Sequence, residues 1–122
     1  MGLFSKSVKK EIPWTELTSE EQLIESLNSK DLTLFFFKHS TRCSISELAK
    51  NRFEREWEDP NQPFKLFYLD LLNYRNISNK IAELTNIEHQ SPQLIVWKNG
   101  KVIYNNSHNA IQFQESLNAL NL

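Results

Sequence analysis

Apolar and polar positions change period several times along the chain, and the changes mark its elements. Thr18 with Glu21, or Ser19 with Gln22, has the spacing of a helix-capping pair, and Leu23, Ile24 and Leu27 form the stripe of a short helix. Asn28 to Asp31 ends it. Residues 32–38 are an unbroken run of Leu, Thr and Phe up to Lys38, which predicts a strand buried on both faces at the centre of a sheet. Helical spacing returns over residues 44–57, with Ile45, Leu48, Ala49, Phe53 and Trp57 on one side and Glu47, Lys50, Glu54 and Glu58 mostly on the other. The stretch 59–63 holds two prolines and breaks the chain, and 64–70 alternates like a strand. Ile77, Ile81, Leu84 and Ile87 mark a further helix. Residues 93–98 and 101–105 flank Asn99-Gly100, a two-residue turn that joins antiparallel strands because both positions accept positive φ. Ile111, Phe113, Leu117 and Leu120 give a closing helix.

The predicted order is α-β-α-β-α-β-β-α, a parallel crossover unit followed by a hairpin and a last helix. It resembles the thioredoxin-like α/β fold, with a central four-stranded mixed sheet flanked by helices. Residues 1–12 are polar and aperiodic and read as an N-terminal lead-in, so that 13–122 form a single domain. With 122 residues, 39% of them hydrophobic, and eight Phe and three Trp, the chain can build one core and hardly two.

Charge and cysteine usage narrow the partners. A formal net charge of −1 supplies no basic field for nucleic acid or an anionic membrane, and no apolar run approaches the length of a membrane span. A single cysteine excludes an internal disulfide, and the N-terminus shows no signal-peptide pattern, so a cytoplasmic monomer is expected. Met1-Gly2 fails the myristoylation pattern at Lys6. The glycosylation-type triplets at Asn76 and Asn105 carry no weight in such a compartment. Two glycines are too few for a dinucleotide fingerprint, and no Cys/His set has metal-binding spacing.

The chemistry concentrates at Lys38-His39-Ser40-Thr41-Arg42-Cys43-Ser44-Ile45-Ser46, where a buried strand hands over to a helix. Unpaired backbone N–H groups and the positive end of the helix favour a thiolate there, and Arg42 and Lys38 add positive charge. In a two-cysteine oxidoreductase a second Cys three positions on resolves the mixed disulfide; Ser46 stands there and cannot. Any cycle must therefore take its second thiol from outside. Ser91-Pro92 precedes the hairpin strands, where a proline is tolerated as a first strand residue or imposes a special turn such as a cis bond. His39 and His108 are candidates for proton transfer or for binding cofactor carboxylates, as imidazoles titrate near neutral pH. Asp70 reads as a cap, and the aromatics Phe35, Phe36, Phe37, Trp57, Phe67 and Trp97 as core.

Ile81-Ala82, Ile87 and then Ser91-Pro92-Gln93 resemble the segment that leads to the cis-proline of thioredoxins. Together, Lys38 to Thr41 running into Cys43-Ser44-Ile45-Ser46, the His89/Ser91-Pro92-Gln93 segment and Ser107-His108 resemble the monothiol bacilliredoxin family of the YtxJ type, over about residues 12–120. The family commonly has Cys-Pro-Ile-Ser, so Ser44 replaces a proline and adds an N–H donor at the first helical turn. The resemblance implies a monothiol disulfide oxidoreductase that removes a low-molecular-weight thiol, bacillithiol, from mixed disulfides on client proteins. It implies Cys43 as the attacking thiolate. Thr41, Arg42, Ser44, Ile45 and Ser46 would stabilise the thiolate or bind the small-thiol co-substrate, with Ser46 donating to sulfur, while Ser91 and Pro92 would bind the incoming substrate backbone or that co-substrate. No permanently bound cofactor or metal is expected, the small thiol being a co-substrate. Two other readings stay open: an iron–sulfur carrier pairing Cys43 and an external thiol from each of two subunits, and a binding module of the same fold without turnover.

Overall fold

The computed structural model describes residues 11–120, so most of the expected lead-in and the last two residues lie outside the described part. The elements are β1 (Trp14–Glu16), α1 (Glu20–Leu27), β2 (Thr33–His39), α2 (Ser44–Glu56), β3 (Phe64–Asp70), α3 (Arg75–Thr85), β4 (Gln93–Lys98), β5 (Lys101–Ser107) and α4 (Phe113–Leu120), with a 3-10 turn at His108–Ala110. One sheet runs in the order β1-β3-β2-β4-β5. β1 and β2 pair parallel to β3, while β4 is antiparallel to both β2 and β5.

The sheet therefore has five strands rather than four. The additional one, β1, is three residues long and shows no alternation of its own; it exists because the β3 edge offers backbone partners, Trp14 opposite Leu66 and Glu16 opposite Tyr68. Ile12 already packs on the core, so the lead-in ends slightly earlier than expected.

All seven residues of β2 are buried, as a central strand covered on both faces requires. Its side chains alternate between two cores. Phe35 and Phe37 meet Ala49, Phe53 and Trp57 of α2 and Phe113 of α4; Leu34 and Phe36 meet Leu23 of α1 and Ile77 and Ile81 of α3. Phe36 stacks on Phe67, with centroids 5.4 Å apart.

Local signals set the element ends. Of the two capping pairs the structure uses Ser19, whose Oγ accepts from the Gln22 N–H at 3.1 Å. α3 ends at Thr85, two residues before the expected Ile87, closed by Asn86 at φ 59 in the left-handed position that ends many helices. Asn99 and Gly100 both have positive φ in the β4–β5 turn.

The face of α2 departs from its sequence pattern. Ser46, Ala49 and Phe53 point inward, whereas Ile45 and Leu48 are 56% and 67% exposed. Both stripes satisfy helical spacing, and the aromatic cluster selects between them: Phe53 lies within 6 Å of Trp14, Phe37, Trp57 and Phe113, measured between ring centroids. Turning the helix to bury Ile45 would take Phe53 out of that cluster. Phe53→Ala should therefore lower stability by about 3–5 kcal/mol, read as a fall in the denaturant midpoint.

Candidate functional site

The candidate residues converge at one end of the sheet. Lys38 pairs with Gln93, and Gln93 with Ser107, so the chain entering α2, the Ser91-Pro92 segment and the end of β5 emerge side by side. His108, at φ 55, donates its backbone N–H to the Pro92 carbonyl at 3.0 Å, tying the Ser107-His108 element to the proline. The Ser91–Pro92 peptide bond is cis. Pro92 is buried, and the Ser91 hydroxyl oxygen is buried with no hydrogen-bond partner among the described residues. An orphaned buried polar atom is unusual in a folded protein.

Cys43 is the N-cap of α2, half-buried, with an extended backbone (φ −110, ψ 119). Its carbonyl accepts the first helical bond from the Glu47 N–H at 3.0 Å, while its side chain makes no capping bond. An N-cap side chain faces the amides of the second and third helical residues, here Ile45 and Ser46. The Ile45 side chain faces outward, so only its backbone lies on the side of the thiol. Thr41, Arg42 and Ser44 are exposed around the thiol. Thr41 and Arg42, with Leu72 and Asn73, line a cleft of about 430 Å³. A cleft of about 500 Å³, between the far part of α2 and Asn109 to Gln114, contains none of the candidate residues.

Ser46 and His39 have a different task from the one expected of them. His39 is the last residue of β2, not a loop residue, and it is 2% exposed. Its Nε2 lies 3.3 Å from Glu47 Oε2 and its Nδ1 2.7 Å from Ser46 Oγ. Burial holds its pKa below the ordinary 6.5, against the pull of Glu47, so the ring is neutral at pH 7. A neutral ring that donates from Nε2 to the carboxylate must accept at Nδ1, and Ser46 therefore donates its only hydroxyl proton to His39. The same Oγ accepts the Ser40 N–H at 3.1 Å. That proton is committed and does not reach the Cys43 sulfur. With both nitrogens engaged, His39 cannot hold a cofactor carboxylate; it braces the 40–43 turn through Ser46. His108 is exposed at the rim.

Lys38 also departs from expectation. Next along β2 after Phe37, it falls on the α1 and α3 side of the sheet, opposite the side on which α2 packs, so its charge is not presented at the helix start beside Arg42. Asp70 closes the turn after β3, accepting from the Leu72 N–H at 3.2 Å and the Asn73 side chain at 2.8 Å. Glu47 and the Ser40 amide were not legible as site residues, because the link from His39 to Glu47 joins a strand end to a helix with no shared periodicity.

The family model described as monothiol bacilliredoxin BrxC matches residues 15–116. Among solved structures, one described as a putative oxidoreductase with a thioredoxin fold is 28% identical, covers 88% of this chain and 94% of its own, and superposes with a TM-score of 0.76. Thioredoxin from Trypanosoma brucei brucei is 18% identical, covers 93% and 94%, and has a TM-score of 0.68. Malassezia sympodialis thioredoxin is 14% identical, covers 93% of each chain, and has a TM-score of 0.67.

His39 and His89 are both held below 6.5 in the fold, so the unfolded chain binds more protons beneath that pH. Stability should fall as pH drops below about 6.5 and be regained above it. His39→Gln should flatten that slope, measured as denaturant midpoint against pH from 7.5 to 5.

Proposed function

The chain belongs to the monothiol bacilliredoxin family, and from that membership and the setting of Cys43 we propose that it strips a low-molecular-weight thiol, bacillithiol, from S-thiolated client proteins. The family and the thioredoxin-like fold make it a thiol oxidoreductase. The observation that carries the finer reading is the free Cys43 at an N-cap, with Ser46, not a second cysteine, three positions on and bound to His39.

In the proposed cycle the Cys43 thiolate attacks the small-thiol sulfur of the mixed disulfide. A bond forms between Cys43 and that sulfur, the bond to the client sulfur breaks, and the client leaves as a thiolate that takes a proton from water. A second small thiol, as its thiolate, then attacks the small-thiol sulfur held on Cys43. This frees Cys43 and yields the small-thiol disulfide, whose reduction by two electrons falls to a separate reductase. In this reading the amides of Ile45 and Ser46 at the start of α2 stabilise the thiolate, and the exposed Arg42 adds a cation at the entrance. In the same reading the Ser91 hydroxyl, without a partner among the described residues, bonds the incoming chain or small thiol as it docks, and the exposed Ile45, Leu48 and Leu72 give a protein client apolar surface.

The test is intact-mass and release assays with a bacillithiolated client. The wild type should release the small thiol and carry a transient Cys43 adduct; Cys43→Ser should do neither, its release falling to the uncatalysed rate. Undiminished release by Cys43→Ser defeats the proposal. A coloured, Cys43-dependent dimer in place of release would indicate the cluster-carrier reading, and a protein that neither releases nor forms an adduct would indicate the binding module. Ser91→Ala should raise the client KM several-fold with kcat little changed, as expected for a group that binds the substrate and the transition state equally.

A further inference from the structure

A lysine lies in the interior behind the site. Lys38 has no solvent-exposed surface, and its Nζ lies 3.2 Å from His89 Nδ1. No carboxylate forms an ion pair with it among the described residues. Burial lowers its pKa from 10.5 to about 8, so it is still mostly an ammonium at neutral pH. Such a buried, unpaired cation disfavours folding, and an apolar side chain of similar length would fill the space at less cost. Packing alone does not account for its presence.

What the ammonium holds is specific. An ammonium can only donate, so His89 Nδ1 is the acceptor and the ring proton sits on Nε2. Ser78 of α3, fully buried, places its hydroxyl 3.1 Å from the same nitrogen. Burial, Lys38 and Arg75 all push the His89 pKa down, which keeps the ring in this neutral form. His89 lies between the cap of α3 at Asn86 and the Ser91–Pro92 bond. Gln93, opposite Lys38 in the sheet and 2% exposed, grips the same segment, donating to the Glu88 carbonyl at 3.0 Å and accepting the Gln90 N–H at 3.4 Å. One side chain each from β2, α3 and β4 thus fastens residues 88–90, immediately before the unpartnered Ser91 hydroxyl.

We propose that Lys38 is a positioning residue: by clamping His89 it fixes the 88–92 segment so that Ser91 and Pro92 are presented, already ordered, to the substrate of Cys43. The clamp is read from geometry alone, whereas its service to substrate rests on the function proposed above. It differs from the tie through His39 and Ser46, which acts on the 40–43 turn from the opposite side of the strand.

Lys38→Met removes the donor and the charge with little change in length. It should unfold at a higher temperature than the wild type at pH 7, exchange the Gln90 and Gln93 amide protons about tenfold faster, and shift the His89 Nδ1 signal in imidazole nitrogen NMR, with Ser78 still donating to that nitrogen. With a bacillithiolated client its KM should rise about tenfold with kcat within about twofold. His89→Ala removes the acceptor from the other side and should give the same exchange and KM changes, which decides the matter if Lys38→Met folds poorly. Lys38→Gln, whose amide can still donate, should recover part of the KM. Unchanged exchange in both Lys38→Met and His89→Ala overturns the clamp, and altered exchange with unchanged KM overturns its role in positioning. If the wild type releases no small thiol, the proposed function fails while exchange and NMR still decide the clamp.

Discussion

The structure depends on the complete burial of β2. A strand with no exposed residue must be covered on both faces and paired on both edges, and nearly every other element answers one of those demands. β3 and β4 pair with its edges, α2 and α4 cover Phe35 and Phe37, and α1 and α3 cover Leu34 and Phe36. The same constraint governs the end of the strand, where Lys38 and His39 are polar yet as buried as the phenylalanines before them. Buried polar groups need partners, and theirs are drawn from the first turn of α2 and from the segment that leads to Pro92.

That arrangement makes the site an extension of the core. His39 faces one way and fixes Ser46, and through it the Ser40 amide; Lys38 faces the other and fixes His89. Strand alternation assigns the two residues to opposite faces, so a single strand end steadies both the turn that carries Cys43 and the segment that carries Pro92. The thiol itself makes no capping bond at the start of α2. Glu47, an acidic residue in the same first turn, would work against a thiolate, but its carboxylate leans onto the His39 ring.

Ser46 shows how one substitution redirects a site. In a two-cysteine arrangement this position would carry the resolving thiol; here it is a buried hydroxyl whose single proton goes to a histidine. Under the proposed function the chemistry left to Cys43 is exchange with a thiol supplied from outside, a reading supported by an exposed cation, an open cleft, the unpartnered Ser91 hydroxyl and the exposed Ile45 and Leu48.

Wherever an element declares itself locally, the sequence was sufficient. The apolar run of β2, the Asn99-Gly100 turn and the break before β3 each follow from propensities within a few residues, and together they determined the fold class and the place of Cys43, while composition alone excluded a resolving cysteine. Tertiary structure decided the rest, because those outcomes turn on groups distant in the chain. β1 forms only because the β3 edge is open to it, α2 buries Ser46 and Phe53 because the aromatic cluster outweighs Ile45, and His39 and Lys38 take structural duties because burial obliges each to find a partner. A sequence pattern states which residues can face inward; only the packed sheet determines which of them do, and what a buried polar group must then hold.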